Sequence, residues 1–306
     1  MRVFLTGATG YIGSAVLEAF VRNGHEVTAM VRDASRLRAR GVGSVKALVA
    51  DLGNGAAWTS AVAGHDVCIH TAFDGSARAV DIDRSTIDAL LSGARKTAAG
   101  GTNTCVIYTS GVWILGSTTA PVDETAHVNP TDMVAFRPAH ESAILTAQGA
   151  NLRTAVIRPG VVVGGGRGIV GELFRDATNG LIRVVGPGHN RWPFVYVRDL
   201  ADLYVRIATM PSASGVFHAN DECDERVIDV VDGIAGHMTT RPDVRHVPLE
   251  EARAKQGGYA DALALDQRVR SPKARAIGWE TSVAGVAANV PRLYEEWRRA
   301  QSESAT

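Results

Sequence analysis

The chain has 306 residues, more than one average domain and enough for one large α/β unit with a smaller cap. Hydrophobic residues make up 45% and charged residues 21%, as in ordinary globular proteins, and 32 Lys+Arg balance 32 Asp+Glu, so no net charge draws the chain to nucleic acid or an anionic membrane. No apolar run approaches the ~18 residues of a membrane span, and the N-terminus opens on a strand without a basic leader, so a cytoplasmic protein is expected. Cys68, Cys105 and Cys223 are odd in number and widely spaced; they read as packing or free thiols in a reducing compartment, and no metal site is expected.

Val3-Phe4-Leu5 suits a buried parallel strand. Thr6-Gly7-Ala8-Thr9-Gly10-Tyr11-Ile12-Gly13 follows at once, and Ile12, Val16, Leu17, Phe20 and Val21 then recur at helical spacing until Asn23-Gly24, a helix-stop signal. Residues 25–31 form a second strand. The glycines thus stand where a strand turns into a helix. Gly7 permits the tight turn, Gly10 lets the backbone approach a pyrophosphate, and Gly13 lets the helix pack on the strand. The N–H groups and dipole of the helix N-terminus attract the anion, with Thr9, Tyr11 and Ile12 lining it. Beyond the second strand, Arg32 and Arg36 suit the 2′-phosphate of NADP, whereas an acid there would favour NAD, which stays possible.

Further along, 45–49 is a third strand ending at Asp51-Leu52, where Asp51 also suits a helix N-cap. A fourth strand, 67–71, enters a loop at Ala72-Phe73 with His70 read as a buried, hydrogen-bonded histidine. Residues 83–99 form a long helix carrying Ile87, Leu90, Leu91 and Ala94 at helical spacing. A fifth strand ends in the polar Thr109-Ser110. A helix over 139–148 and a strand over 154–157 follow, then a loop with Gly164, Gly165, Gly166 and Gly168. Asp199 is placed as the cap of a helix running to residue 207, and mixed α/β structure, with a strand over 216–218, follows residue 215.

The spacing Thr-Gly-x-x-Gly-x-x-Gly resembles the extended short-chain dehydrogenase/reductase superfamily. That resemblance implies an α/β fold, a doubly wound parallel Rossmann sheet over 1–165 with 190–215 returning to it, and a smaller C-terminal mixed α/β substrate domain over 166–189 and 216–306. It places Asp51 and Leu52 at the adenine edge, Thr71, Ala72 and Phe73 beside the cofactor, and Thr109, Ser110 and Gly111 at the opening of the catalytic loop. It places Arg158-Pro159-Gly160-Val161 over the nicotinamide. Val197-Arg198-Asp199-Leu200-Ala201, Ser271-Pro272-Lys273-Ala274-Arg275 and Gly278-Trp279 match further family segments. The resemblance also implies a homodimer through the helix over 83–99 and the next long one.

It breaks at the catalytic signature. The superfamily uses Tyr-x-x-x-Lys with an upstream Ser or Thr, the tyrosine exchanging a proton with the substrate oxygen and the lysine lowering its pKa. Here no Tyr-x-x-x-Lys exists, and no lysine lies between Lys96 and Lys255. Aligning Glu141 with the family's glutamate puts Met133 at the tyrosine position and Arg137 at the lysine position, and Gly111 at the usual serine beside Ser110. Methionine cannot transfer a proton, and arginine stays charged. The chain therefore resembles an atypical group that has lost the signature. Ser110, Arg137 and Tyr108 are the catalytic candidates, with His140 and Tyr196 as other replacement acids. The expected function is an NADP-dependent oxidoreductase acting on a small carbonyl, alcohol or imine. The alternatives are a non-catalytic NADP-binding redox sensor or assembly protein and, below it, a sugar-nucleotide epimerase/dehydratase.

Overall fold

The computed structural model describes residues 1–38 and 45–305 and divides into two compact units, Met1–Ser110 with Phe136–Ile157 and Leu200–Phe217, and Gly111–Ala135 with Arg158–Asp199 and His218–Thr306. The return to the first unit thus starts at Leu200 rather than residue 190, and residues 111–135 and 158–165 fall in the second unit. The reason residues 111–135 do so is visible in the packing. Val112, Ile114 and Leu115 bury themselves with Val269, far along the chain, which no local pattern announces.

The first unit is built on a seven-stranded sheet in the order β10-β6-β5-β4-β1-β2-β3. Its strands are β1 (Arg2–Thr6), β2 (Glu26–Val31), β3 (Lys46–Val49), β4 (Val67–His70), β5 (Thr104–Thr109), β6 (Leu152–Pro159) and β10 (Gly215–Ala219). Pairings β1–β2, β1–β4, β2–β3, β4–β5 and β5–β6 are all parallel. Val67–His70 is buried at every position, as expected of a strand covered on both faces. The helices are α1 (Tyr11–Arg22), α2 (Ser35–Arg38), α3 (Gly55–Val62), α4 (Ala79–Ala99), α5 (Arg137–Leu145) and most of α7 (Val197–Thr209). Phe4, Trp58, Leu90, Val106 and Ile144 share one core cluster, each full apolar burial stabilising by about 1.5–3 kcal/mol. Strand order reverses between β1 and β4, so the carboxyl ends of these strands form the crevice where an open α/β sheet binds ligands.

The second unit pairs β7 (Val161–Val163) with β9 (Phe194–Tyr196) and β8 (Leu181–Val185) with β11 (Asp243–Val247), both parallel. Around them lie α6 (Gly168–Thr178), α8 (Val227–His237), α9 (Leu249–Gln256), α10 (Gly258–Leu263), α11 (Pro272–Ala276) and α12 (Val290–Ala305). Phe174, Trp192, Val230, Ile234 and Leu293 belong to its core. Among the described residues no helix is long and apolar enough to cross a membrane, and no cluster of three metal-ligating side chains occurs.

Two expected caps prove to be something else. α3 starts after Asn54, not Asp51, and the Asp51 carboxylate instead accepts the Gly53 N–H at 2.7 Å in a local turn. Asp199 lies inside the first turn of α7, and its carboxylate accepts from the Ser282 N–H and hydroxyl, both at 2.7 Å. In both cases a short acidic side chain found a donor in the tertiary structure or its own loop before the helix could use it. The long helix also begins four residues earlier than its apolar spacing shows, at Ala79, and α5 spans Arg137–Leu145 rather than 139–148.

Candidate active site

The glycine turn is dictated locally. Gly7 has φ +78°, and a Cβ there would stand 2.6 Å from the Ala72 nitrogen, so no other residue fits. A Cβ at Gly13 would lie 2.1 Å from the Gly7 carbonyl oxygen and 2.5 Å from the Thr71 hydroxyl, so this glycine sets the approach of α1 to the strand ends. Gly10 differs. Its Cβ position meets only the Gly7 oxygen, at 3.1 Å, and otherwise opens on free space. Gly10 is also the N-cap of α1, which has no side-chain cap and no acidic residue in its first turn. The chain therefore leaves the positive end of this helix to an external anion, with room for one above Gly10, and the turn fits a dinucleotide pyrophosphate.

The flanking strand ends carry the other cofactor candidates. Arg32 and Arg36 are exposed after β2, while the Asp33 carboxylate is engaged by the Ser35 N–H at 2.9 Å and hydroxyl at 2.6 Å. Asp51 is exposed, and Leu52 packs against the core of the first unit. Thr71 donates its hydroxyl to the Thr6 carbonyl at 2.7 Å, fixing the end of β4 to that of β1. Ala72 lies against Gly7, and the Phe73 ring is 52% exposed.

At the end of β5, Thr109 turns its hydroxyl to the His70 carbonyl at 2.7 Å and the Tyr204 hydroxyl at 2.5 Å. Ser110 follows; it is buried, and its hydroxyl has no hydrogen-bond partner among the described residues. Arg137, at the start of α5, donates from Nη1 to the Thr109 carbonyl at 3.0 Å and to the Tyr108 hydroxyl at 3.3 Å. Its guanidinium carbon lies 5.5 Å from the Phe73 ring centre and 5.2 Å from that of Phe136, and those rings stack at 5.7 Å. Two aromatic faces and a strand-end carbonyl thus hold a fixed cation beside the residue before Ser110. The strand end thus combines an oriented arginine on the Thr109 carbonyl with a buried serine hydroxyl, one residue on, that has no partner among the described residues.

Beneath this surface sits a buried network that sequence reading located only in part. The Asp83 carboxylate accepts from Tyr108 at 2.8 Å, with His140 Nδ1 at 2.6 Å and His70 Nε2 at 3.1 Å, and His70 Nδ1 lies 2.7 Å from the Thr6 hydroxyl. His70 is thereby the satisfied core histidine it was expected to be. Burial alone would raise the Asp83 carboxyl, but the hydrogen bonds from His140, His70 and Tyr108 hold it well below the usual carboxylate range. Burial pushes the Tyr108 phenol far up, with Arg137 opposing and Asp83 reinforcing the shift, so its proton stays on oxygen. The helical pattern over residues 83–99 marks Asp83 only as a helix start. The available signal was its place four residues before Ile87, on the apolar face of α4, where an unpartnered acid is not tolerated.

The remaining candidates belong to the second unit. Gly160 donates its N–H to the Ala219 carbonyl at 2.9 Å, and a Cβ on it would stand 2.2 Å from the Pro193 oxygen, so Pro193 is sufficient reason for glycine there. Pro159 precedes it in β6, and Val161 donates to the same Pro193 oxygen at 2.7 Å. Tyr196 donates to Glu296 at 2.9 Å under the Arg292 guanidinium. Met133, at the expected tyrosine position, is 45% exposed in the short turn Asp132–Val134.

Comparison with known proteins agrees with this architecture. Residues 3–219 match the NAD dependent epimerase/dehydratase family. The Schizosaccharomyces pombe Uncharacterized protein C2A9.02 is 31% identical over 291 residues, 92% of this chain and 95% of that one. The Stenotrophomonas maltophilia 2-alkyl-3-oxoalkanoate reductase is 28% identical over 218 residues, 66% of this chain and 63% of that one. Human epimerase family protein SDR39U1 (isoform2), whose crystal structure is with NADPH, shares the fold with a TM-score of 0.78 at 21% identity, over 96% of this chain and 99% of that one. A Rossmann sheet with the glycine turn at its switch point, matched over most of its length, places the chain in the NAD dependent epimerase/dehydratase family, as an extended short-chain dehydrogenase/reductase without the tyrosine and lysine signature.

Proposed function

We propose that this chain is an NADPH-dependent oxidoreductase that reduces a small carbonyl compound, with Arg137 in place of the family's lysine and no tyrosine acid. The observation that carries this reading is Arg137, held by the Thr109 carbonyl and two aromatic rings at the end of β5, where the following residue, Ser110, has a buried hydroxyl with no hydrogen-bond partner among the described residues. The 2-alkyl-3-oxoalkanoate reductase supports a carbonyl substrate, and the NADPH of the human structure supports the cofactor. With its pyrophosphate at the glycine turn, a reduced nicotinamide dinucleotide would supply hydride. This chain's residues then have separable tasks. Gly7, Gly10 and Gly13 admit the pyrophosphate, with Thr9, Tyr11 and Ile12 around it. The Ser110 hydroxyl and the unused N–H groups of Arg137 donate to the carbonyl oxygen or the ribose. Arg137 cannot give up a proton near neutral pH, and the Tyr108 proton is committed to Asp83, so Tyr108 orients Arg137 and the proton that ends the reaction comes from water.

The cofactor preference rests on Arg32 and Arg36, exposed where the second strand ends, while the nearby Asp33 is used by its own turn. NADPH should bind more tightly than NADH, and Arg32→Ala should erase about 1.5–3 kcal/mol of that difference. Parallel calorimetric titrations with both nucleotides measure it, and equal affinities in the wild type would reverse the assignment. The reaction itself is tested by NADPH oxidation at 340 nm across a panel of ketones, 3-oxo esters and imines. Arg137→Ala should lower kcat/KM by about ten- to a hundredfold, the cost of a charge-assisted hydrogen bond, with the fold intact. NADPH binding without turnover on any of them would move the chain to the sensor class. That outcome is the second reading, and the exposed Met133 at the tyrosine position is what favours it.

A further inference from the structure

The second unit holds a cavity of about 340 Å³ lined from α6, β8, α9 and α10. Leu173, Val184, Trp192 and Val227 form its apolar wall, and all four are nearly or fully buried. Size and lining are those of a small-molecule site. Two cations reach the rim, and both are already paired, Arg183 with Asp176 at 3.9 Å and Lys255 with Glu251 at 2.8 Å. Glu172 adds a further negative charge. A nucleotide diphosphate would therefore meet carboxylates and no uncompensated cation, which argues for a neutral ligand. Two uncharged polar side chains, Gln256 and Tyr259, line the cavity with no side-chain hydrogen bond among the described residues. Tyr259, half-buried and edge-on to Trp113 at 6.1 Å, makes no hydrogen bond through its hydroxyl among the described residues. Burial, reinforced by Glu172, pushes this phenol up to about 12, so it stays an O–H donor. Its neighbour Gly258 lies against Met133, a Cβ there standing 3.6 Å from that of Met133, so Tyr259 lies close to the position where the family carries its tyrosine.

We propose that this cavity binds the hydrocarbon chain of a neutral alkyl ketone, with the Tyr259 hydroxyl donating to an oxygen at the head of the chain. The inference rests on the carbonyl-reductase reading for its biological sense, but the binding can be measured without turnover. The probes are 2-pentanone, 2-heptanone and 2-nonanone, titrated into the whole chain by calorimetry, with UDP-glucose as the polar comparator. Each pair of added methylenes should tighten binding roughly tenfold, following the transfer of apolar area from water. Leu173→Trp, which fills the cavity, should flatten that dependence, and Val185→Phe at the half-buried wall should do so if the first variant fails to fold. Tyr259→Phe should weaken all three ketones about fivefold and leave the slope unchanged. A wild type with no chain-length dependence, or a folded filled variant that keeps it, overturns the proposal, as does tighter binding of UDP-glucose than of 2-nonanone. Chain-length-dependent binding abolished by filling, with no NADPH oxidation, leaves the site standing and removes the reductase reading alone.

Discussion

Gly10→Val should abolish dinucleotide binding, by more than about a hundredfold in Kd or over ~2.7 kcal/mol, while the folded chain persists. The physical basis is an asymmetry among the three glycines. Gly10 has φ −77° and ψ 180°, a conformation valine adopts without strain, and its Cβ position meets only one protein atom. Loss of a glycine N-cap costs ~1 kcal/mol or less. What valine removes is the open space above the helix N-terminus, where the pyrophosphate fits. Gly13→Val should do the opposite. Its Cβ would lie 2.1 Å from a backbone oxygen, so the helix must move off the strand and the chain loses stability before binding is asked about. Calorimetric titration with NADPH beside thermal unfolding separates the two outcomes. A Gly10→Val protein that binds NADPH normally would mean the phosphate lies elsewhere.

Asp83→Ala should cost about 3–5 kcal/mol of stability, the range found when one member of a buried charged network is deleted, and lower Tm by roughly 5–15 °C. Two histidines and a tyrosine would lose their common acceptor in the core of the first unit. The same group gives a pH dependence with a definite sign. Its folded-state pKa is lowered relative to an unfolded Asp of about 3.9, so the folded state favours the carboxylate. The stabilisation is full above that unfolded value and is given up as pH falls below it toward the folded one. Wild type and Asp83→Ala should therefore differ most near neutral pH and converge below about pH 4. Urea unfolding at stepped pH measures the gap, and a gap that widened in acid would show that Asp83 is not the acceptor at the centre of this network.

Much of the nucleotide-binding unit was legible because its signals are local. The turn from β1 into α1 places three glycines within seven residues, and their roles follow from backbone geometry alone. The apolar runs of β1, β4 and β5 read directly as strands buried on both faces. What stayed hidden depends on long-range contacts. Asp83 meets His70, Tyr108 and His140 only after four elements have packed, so spacing along α4 could show where it points but not what it meets. Asp51 and Asp199 carried a sound capping signal and lost it to Gly53 and Ser282. Arg137 was placed by register against the family pattern, and only the structure shows the two rings and the carbonyl that fix it. Gly160 shows the converse, a family residue whose glycine is already required by Pro193.

In the proposed function a reduced nicotinamide dinucleotide lies along the carboxyl ends of β1, β2, β4 and β5, with its reacting end at Ser110 and Arg137. Amide hydrogen exchange of the full chain with and without saturating NADPH tests this most directly. Protection is expected over residues 7–14 in the glycine turn, around Arg32, over 71–74 and over 109–111, with the start of α5 at Arg137 slowed in the same samples. Unchanged exchange at the glycine turn under saturating NADPH, or protection confined to segments away from these strand ends, would contradict the account.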